Sequence, residues 1–156
     1  MLRHIKYIVV HCTQTSTDIE AEFLRDQMKQ DERRPMFHIM IDRFGHCMRM
    51  MGCNLVADIS HPYNENCFHI AYVGGVRNTK SCDTRSPVQH HAMFVKLKEL
   101  HQLFPEAQIV GADYFGGNES ENPCFDVIAW LEFHRKNSEH WVDYEENENG
   151  QWIFVE

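Results

Sequence analysis

Nowhere does the chain hold an apolar run approaching the ~18 residues of a membrane-spanning helix, and its start, Met1-Leu2-Arg3-His4-Ile5-Lys6, lacks the apolar stretch of a secretory leader. The expectation is a chain kept in the cytoplasm as encoded, with no membrane partner. An excess of positive charge is missing too: 15 Lys and Arg stand against 23 Asp and Glu, a formal net charge of −8 with His neutral. A broad phosphate-tracking surface is therefore not expected, and no nucleic-acid partner. The six cysteines (Cys12, Cys47, Cys53, Cys67, Cys82, Cys124) contain no C-x-x-C pair, which fits reduced thiols better than a disulfide framework or a structural zinc knot. Internal repeats and low-complexity tracts are also absent. What remains is 156 residues, 43% hydrophobic and 12% aromatic, enough for one core and too few for a two-domain machine.

Strand and helix patterns alternate along the chain, which specifies an α/β domain. Tyr7-Ile8-Val9-Val10-His11 is a β-branched apolar run whose C-terminal end delivers His11 to a sheet edge. A helix is expected from about Asp18, with Asp18 as cap and Ile19, Phe23, Leu24 and Met28 on one face. After Pro35, Met36-Phe37-His38-Ile39-Met40-Ile41 turns at Arg43-Phe44-Gly45 into Cys47-Met48-Arg49-Met50, a hairpin pattern. Residues 52–66 read as loop, and Phe68-His69-Ile70-Ala71-Tyr72-Val73 as a second core strand closed by Gly74-Gly75. Ser86-Pro87 is a cap followed by proline at the first helical position, opening a helix through Leu103 with Met93, Leu97, Leu100 and Phe104 inward. Gln108-Ile109-Val110-Gly111 is a short strand, and a last helix runs from Phe125 to Lys136 with Val127, Ile128, Trp130 and Leu131 apolar. In the tail, Trp141-Val142-Asp143-Tyr144 and Trp152-Ile153-Phe154-Val155 flank an Asn-Gly turn at Asn149-Gly150, which favours a β-hairpin. Such a ribbon is marginal alone and has to dock on the rest of the chain or on a partner.

The order of motifs resembles one family across about residues 7 to 136: the type 2 N-acetylmuramoyl-L-alanine amidases, which include phage lysozymes of amidase type and the peptidoglycan recognition proteins. Ile8-Val9-Val10-His11-Cys12-Thr13-Gln14-Thr15 is similar to the family's opening strand with its histidine zinc ligand, and Phe37-His38-Ile39-Met40-Ile41-Asp42-Arg43-Phe44-Gly45 to its Tyr-His hairpin with an Arg-x-Gly turn. Tyr63-Asn64-Glu65-Asn66-Cys67-Phe68-His69-Ile70, then Gly74-Gly75, resembles its Asn-x-x-Ser-Ile-Gly strand and trailing Gly-Gly. Asp83-Thr84-Arg85-Ser86-Pro87-Val88-Gln89 looks like the Thr-x-x-Gln start of its long helix. Pro105-Glu106-Ala107-Gln108-Ile109-Val110-Gly111 resembles the strand that normally delivers Gly-His-Arg-Asp, and Asn122-Pro123-Cys124-Phe125-Asp126 stands where a Cys-Pro-x-Phe-Asp segment opens the last helix. Six motifs in order imply a central mixed β-sheet flanked by helices over residues 1–136, with residues 137–156 as a C-terminal extension, a β-hairpin packed on the domain.

The family's reaction hydrolyses the amide between muramic acid and L-alanine with Zn²⁺ on three protein ligands and water in the open position. Carried over position by position, the resemblance keeps one ligand, His11. The second histidine falls on Ala112, the cysteine or aspartate ligand on Asn122, the tyrosine that helps the zinc-bound water on Phe37, and the lysine two residues before the third ligand on Ser120. Alanine has no donor atom and a neutral amide is a poor zinc ligand. The resemblance therefore implies no intact metal site, no catalytic residue and no bound cofactor, unless Asp113 or Cys124 substitutes as a ligand beside His11. It also implies a cleft lined by His11, Phe37, His61, Asn66, Ala112 and Asn122.

Three functions compete on this sequence: a degenerate amidase-like protein binding peptidoglycan fragments without hydrolysis, an intracellular module that binds a protein partner, and a zinc amidase with a rearranged or engineered site. Release from the cell would follow a phage or prophage-type route. His38, His69, Cys12 and His61 also fall near the expected site, but His38 and His69 lie on strand patterns and read as core residues. His90 and His91 read as a solvated helix face, Met48, Met50 and Met51 as core filling, and Glu145 to Glu148 as a solvated acidic turn, with a recognition element as the alternative.

Overall fold

Residues 3–116, 121–136, 144–146 and 152–154 are described by a computed structural model. Along the chain run β1 (Tyr7–Cys12), α1 (Ala21–Gln30), β2 (Ile39–Ile41), β3 (Cys47–Arg49), β4 (Cys67–Tyr72), β5 (Val76–Arg77), β6 (Lys80–Ser81), α2 (Pro87–Leu103), β7 (Gln108–Gly111), α3 (Val127–Lys136), β8 (Tyr144–Glu146) and β9 (Trp152–Phe154). Five strands make a central mixed sheet in the order β3-β2-β4-β1-β7. β2, β4, β1 and β7 are mutually parallel, and β3 closes one edge antiparallel to β2.

Period-2 alternation sorts the side chains of the two central strands onto opposite faces. Ile8, Val10 and Cys12 of β1, with Phe68, Ile70 and Tyr72 of β4, meet Met93, Leu97 and Leu100 of α2 and Val127 and Trp130 of α3. On the other face, Met40 and Ala71 pack with Phe37 and with Ala21, Leu24 and Met28 of α1, while Val9 packs with Cys67, Val110 and Ala112. Both faces of β1 and β4 are thus covered, as continuous apolar runs in parallel strands require. Each enclosed aliphatic side chain contributes about 1.5–3 kcal/mol.

The cap at Ser86 is a complete capping box: its hydroxyl accepts from the Gln89 N–H and Gln89 Oε1 accepts from the Ser86 N–H. The Gln89 amide, wholly enclosed, then donates to the carbonyls of Ile41 and Val73, fastening the start of α2 to the ends of β2 and β4. The start of α1 differs from expectation. Glu20 is its N-cap with no side-chain cap bond, and Asp18 instead accepts from the Ser16 hydroxyl two residues upstream, a local turn that competes with capping. Phe23, expected inward, is 53% exposed; Ile19, Leu24 and Met28 carry the packing. α3 starts at Val127, where Asp126 accepts from the Ala129 N–H, and Ile128 faces solvent. The β5–β6 ribbon was not expected from the sequence; Asn78 and Thr79 turn it with positive φ values of 52° and 64°, the conformation a two-residue hairpin needs.

In the tail, β8 pairs antiparallel with β9, Tyr144 opposite Phe154. The Asn149-Gly150 turn, Trp141 and the docking expected for this ribbon lie outside the described residues, as does the acidic turn but for Glu145 and Glu146 of β8. Among the described residues no helix is long and apolar enough to cross a membrane.

Candidate functional site

In open sheets with parallel strands, ligands collect at the carboxyl ends of the strands. Here β1 ends in His11-Cys12 with Thr13 following, and beside it lies a cleft of about 400 Å³ bounded by Leu24 and Met28 of α1, by Phe37, by Ile59 and Ser60, and by Asn122. His11 lines this cleft and is 5% exposed. Its Nε2 lies 2.7 Å from Nδ1 of His69, whose Nε2 lies 2.7 Å from Oδ1 of Asn64. Asn64 in turn donates its amide N–H to the Ala57 carbonyl at 2.7 Å. The relay is possible because β1 and β4 pair in parallel with Val9 opposite His69, which puts His69 on the same sheet face as His11.

Burial pushes the His11 pKa down to about 3, with His61 adding to the shift. Burial lowers His69 further, helped by His11 and His38. His38, enclosed and stacked on Phe68, is pushed down to about 4 by burial, against the opposing pull of its bonds to the Leu55 and His69 backbone. Its Nδ1 accepts from the His69 backbone N–H at 3.0 Å, so in the neutral ring Nε2 carries the proton and donates to the Leu55 carbonyl at 2.8 Å. The Arg3 guanidinium approaches that nitrogen and directs its donors to the carbonyls of Cys53, Glu65 and Cys67. The three histidines are thus neutral near pH 7.

Of the residues expected in the cleft, His11, Phe37 and Asn122 come together. The Phe37 ring, 6% exposed, sits 5.1 Å from the His11 ring and has no hydroxyl to offer a water. Asn122 is buried and its Oδ1 accepts the Cys12 backbone N–H at 2.7 Å, so this amide latches the loop before α3 to the end of β1. Ala112 is enclosed with Val9, Cys67 and Val110, and its methyl group belongs to that apolar cluster. His61 is half-buried, edge-on to Phe115 at 4.1 Å, and accepts the Tyr63 N–H through Nδ1. Asn66 does not belong to the cleft. It donates to the His4 carbonyl and its own carbonyl accepts from Lys6, which places it at the opposite, N-terminal end of β1. Ser120 lies outside the described residues.

The candidate substitute ligands are not gathered at His11. Asp113 and Cys124 line a separate depression of about 480 Å³ with Cys82 and Phe125, and the Cys124 thiol points to the Gly75 carbonyl at 3.7 Å. His90, expected in solvent, is buried edge-on to Trp130, because α3 packs across that face of α2; His91 is exposed. Met48 and Met50 pack against the Phe37 cluster as expected. Sequence reasoning missed the pairing of His69 and Asn64 with His11. The signal was present in β4, where the family-like motif has glycine and this chain has His69, but which strand lies beside β1 was not readable.

Zinc does not fit this donor set. His11 has one nitrogen committed to His69, Asn122 has its oxygen committed to a backbone N–H, and Ala112 contributes a methyl group. Among the described residues no group of three or more His, Cys, Asp or Glu side chains is arranged to hold an ion.

The sequence profile described as N-acetylmuramoyl-L-alanine amidase matches residues 1–138. No protein of curated function matches the sequence. Among solved structures, the fold is similar to the Ph2119 endolysin from Thermus scotoductus MAT2119 bacteriophage Ph2119, with a TM-score of 0.68 and 20% identity over 85% of this chain and 84% of that one. It is similar to the amidase LysC from Clostridium intestinale URNW, with a TM-score of 0.69 and 18% identity over 87% of each chain. A human peptidoglycan recognition protein, PGRP-IBETAC, solved in complex with glycosamyl muramyl pentapeptide, aligns with a TM-score of 0.61 and 13% identity over 81% of this chain and 84% of that one.

Proposed function

Because the chain belongs to the N-acetylmuramoyl-L-alanine amidase family, we propose that it binds peptidoglycan fragments in the cleft at His11 and does not hydrolyse them. The observation that carries this reading is the fate of the donor positions. The groups standing where the resemblance assigns the second and third zinc ligands are a methyl group in an apolar cluster and an amide that holds β1. The ring standing at the tyrosine position has no hydroxyl. A hydrolase without a metal, a water-positioning hydroxyl or a base near neutral pH has no means of activating water, since His11 itself is held neutral with its pKa near 3. The cleft itself is present beside His11, walled by α1, Phe37 and Asn122. A relative of the same fold has been captured with a muramyl pentapeptide, which supports the choice of ligand class.

Calorimetric titration of the full chain with a muramyl dipeptide and a muramyl pentapeptide tests the binding half, and measurement of newly freed N-terminal L-alanine from intact peptidoglycan tests the other. Binding without release is expected. Release abolished by a chelator restores the amidase reading, and failure of both fragments to bind sinks recognition.

A further inference from the structure

Hydrogen-bond polarity along the relay behind His11 is fixed by a group that cannot change its role. The Ala57 carbonyl only accepts, so Asn64 must present its N–H there and its oxygen to His69. His69, neutral, must then donate from Nε2 and accept at Nδ1, and His11 must donate from Nε2. The proton of His11 is thus on the buried side of the ring. Its Nδ1 is left as a bare lone pair, bonded to none of the described residues, on a ring that lines the cleft.

We propose that His69 and Asn64 are positioning residues that hold His11 in the tautomer whose Nδ1 accepts a hydrogen bond, so that the deep end of the cleft selects ligand N–H donors such as a backbone amide. The ligand half of this statement rests on the peptidoglycan-fragment reading; the tautomer half does not. Nothing in it requires a metal or a catalytic step. His69 stands where the family-like strand motif has glycine, so the lock belongs to this chain's own substitution rather than to the motif.

The test uses the full chain labelled with ¹⁵N-histidine and long-range ¹H–¹⁵N spectra at pH 7, which report which ring nitrogen carries the proton. The unmodified chain should show His11 with a protonated Nε2 and a bare Nδ1. His69→Gln keeps the polarity, because its amide oxygen accepts from His11 and its N–H donates to Asn64, and should leave that pattern intact. His69→Leu removes it, and Asn64→Leu breaks it without touching either ring; both should give His11 as a mixture of tautomers. A His11 spectrum indifferent to His69→Leu and Asn64→Leu overturns the lock, as does a Gln variant that behaves like Leu. For the ligand half, a muramyl dipeptide is compared with its counterpart methylated at the alanine nitrogen. Tenfold or greater preference for the N–H form, kept by His69→Gln and lost by His69→Leu, is expected. Equal affinity for the two ligands refutes selection by Nδ1. Failure of both to bind removes the peptidoglycan reading and the ligand half with it, while the spectra decide the lock independently.

Discussion

Lowering the pH from 7.5 to 5 should cost the fold several kcal/mol, before most carboxylates begin to titrate. His38 is enclosed, and burial pushes its pKa from an ordinary 6.5 to about 4. The unfolded chain takes up that proton below 6.5, whereas the folded chain refuses it until about 4. The stability contribution is therefore intact above 6.5 and is lost as the pH falls from 6.5 to 4. At about 1.36 kcal/mol per pH unit the full loss is about 3 kcal/mol, of which about 2 kcal/mol has gone by pH 5. His69 and His90 are equally enclosed and shifted in the same direction by burial. Three independent groups would remove about 6 kcal/mol at pH 5, set against about 5–15 kcal/mol for a whole domain. His38 and His69 stack 6.0 Å apart, so protonating one raises the cost of the other and their losses will not simply add. Urea unfolding followed by tryptophan fluorescence at pH 7.5, 6.5, 5.5 and 5.0 measures the effect, with His90→Phe as the internal check. That ring keeps the edge contact with Trp130 and cannot be protonated, so the variant should lose less of its stability over the same interval. A urea midpoint that stays flat from pH 7.5 to 5 would falsify the account of these histidines as buried and neutral.

Replacing Gln89 with Leu leaves the Val73 carbonyl and the Ser86 N–H without their partner, while the Ile41 carbonyl keeps the Val73 N–H as donor. At about 1–3 kcal/mol per orphaned group the loss is at least about 2 kcal/mol, or a melting temperature lower by about 4–8 °C; a drop below 2 °C on a thermal scan contradicts the stapling role. Restoring zinc should require Ala112→His and Asn122→Cys together, and each change carries its own penalty, since the histidine crowds an apolar cluster and the cysteine abandons the Cys12 N–H. Each is expected to destabilise by about 1–3 kcal/mol, and only the double variant should gain an equivalent of zinc by elemental analysis and melt higher with zinc present. Uptake of a full equivalent by a single variant, or by the unaltered chain, points to another native donor, with Asp113 the first to mutate.

Much of the fold is legible along the chain because its causes are local. Continuous apolar runs mark β1 and β4, and Ser86, Pro87 and Gln89 mark the start of α2 through bonds made within four residues. The weakened α1 cap was misjudged for the same local reason, a Ser16–Asp18 turn that competes with it. The missing side-chain donor at Ala112 is also a matter of letters, since an alanine side chain carries no lone pair wherever it is placed. Contacts between distant segments are different in kind. His11 and His69 are 58 residues apart and Cys12 and Asn122 are 110 apart, and only the parallel pairing of β1 with β4 and the return of the chain before α3 bring them together. Asn66 looked like a cleft residue and lies at the wrong end of the strands, and His90 looked solvated until α3 covered it with Trp130. Local propensity and side-chain chemistry are properties of short stretches of sequence. Which strand lies beside which, and therefore which lone pair faces the cleft, depends on how both faces of the sheet are buried at once, and that is decided only when the whole chain packs.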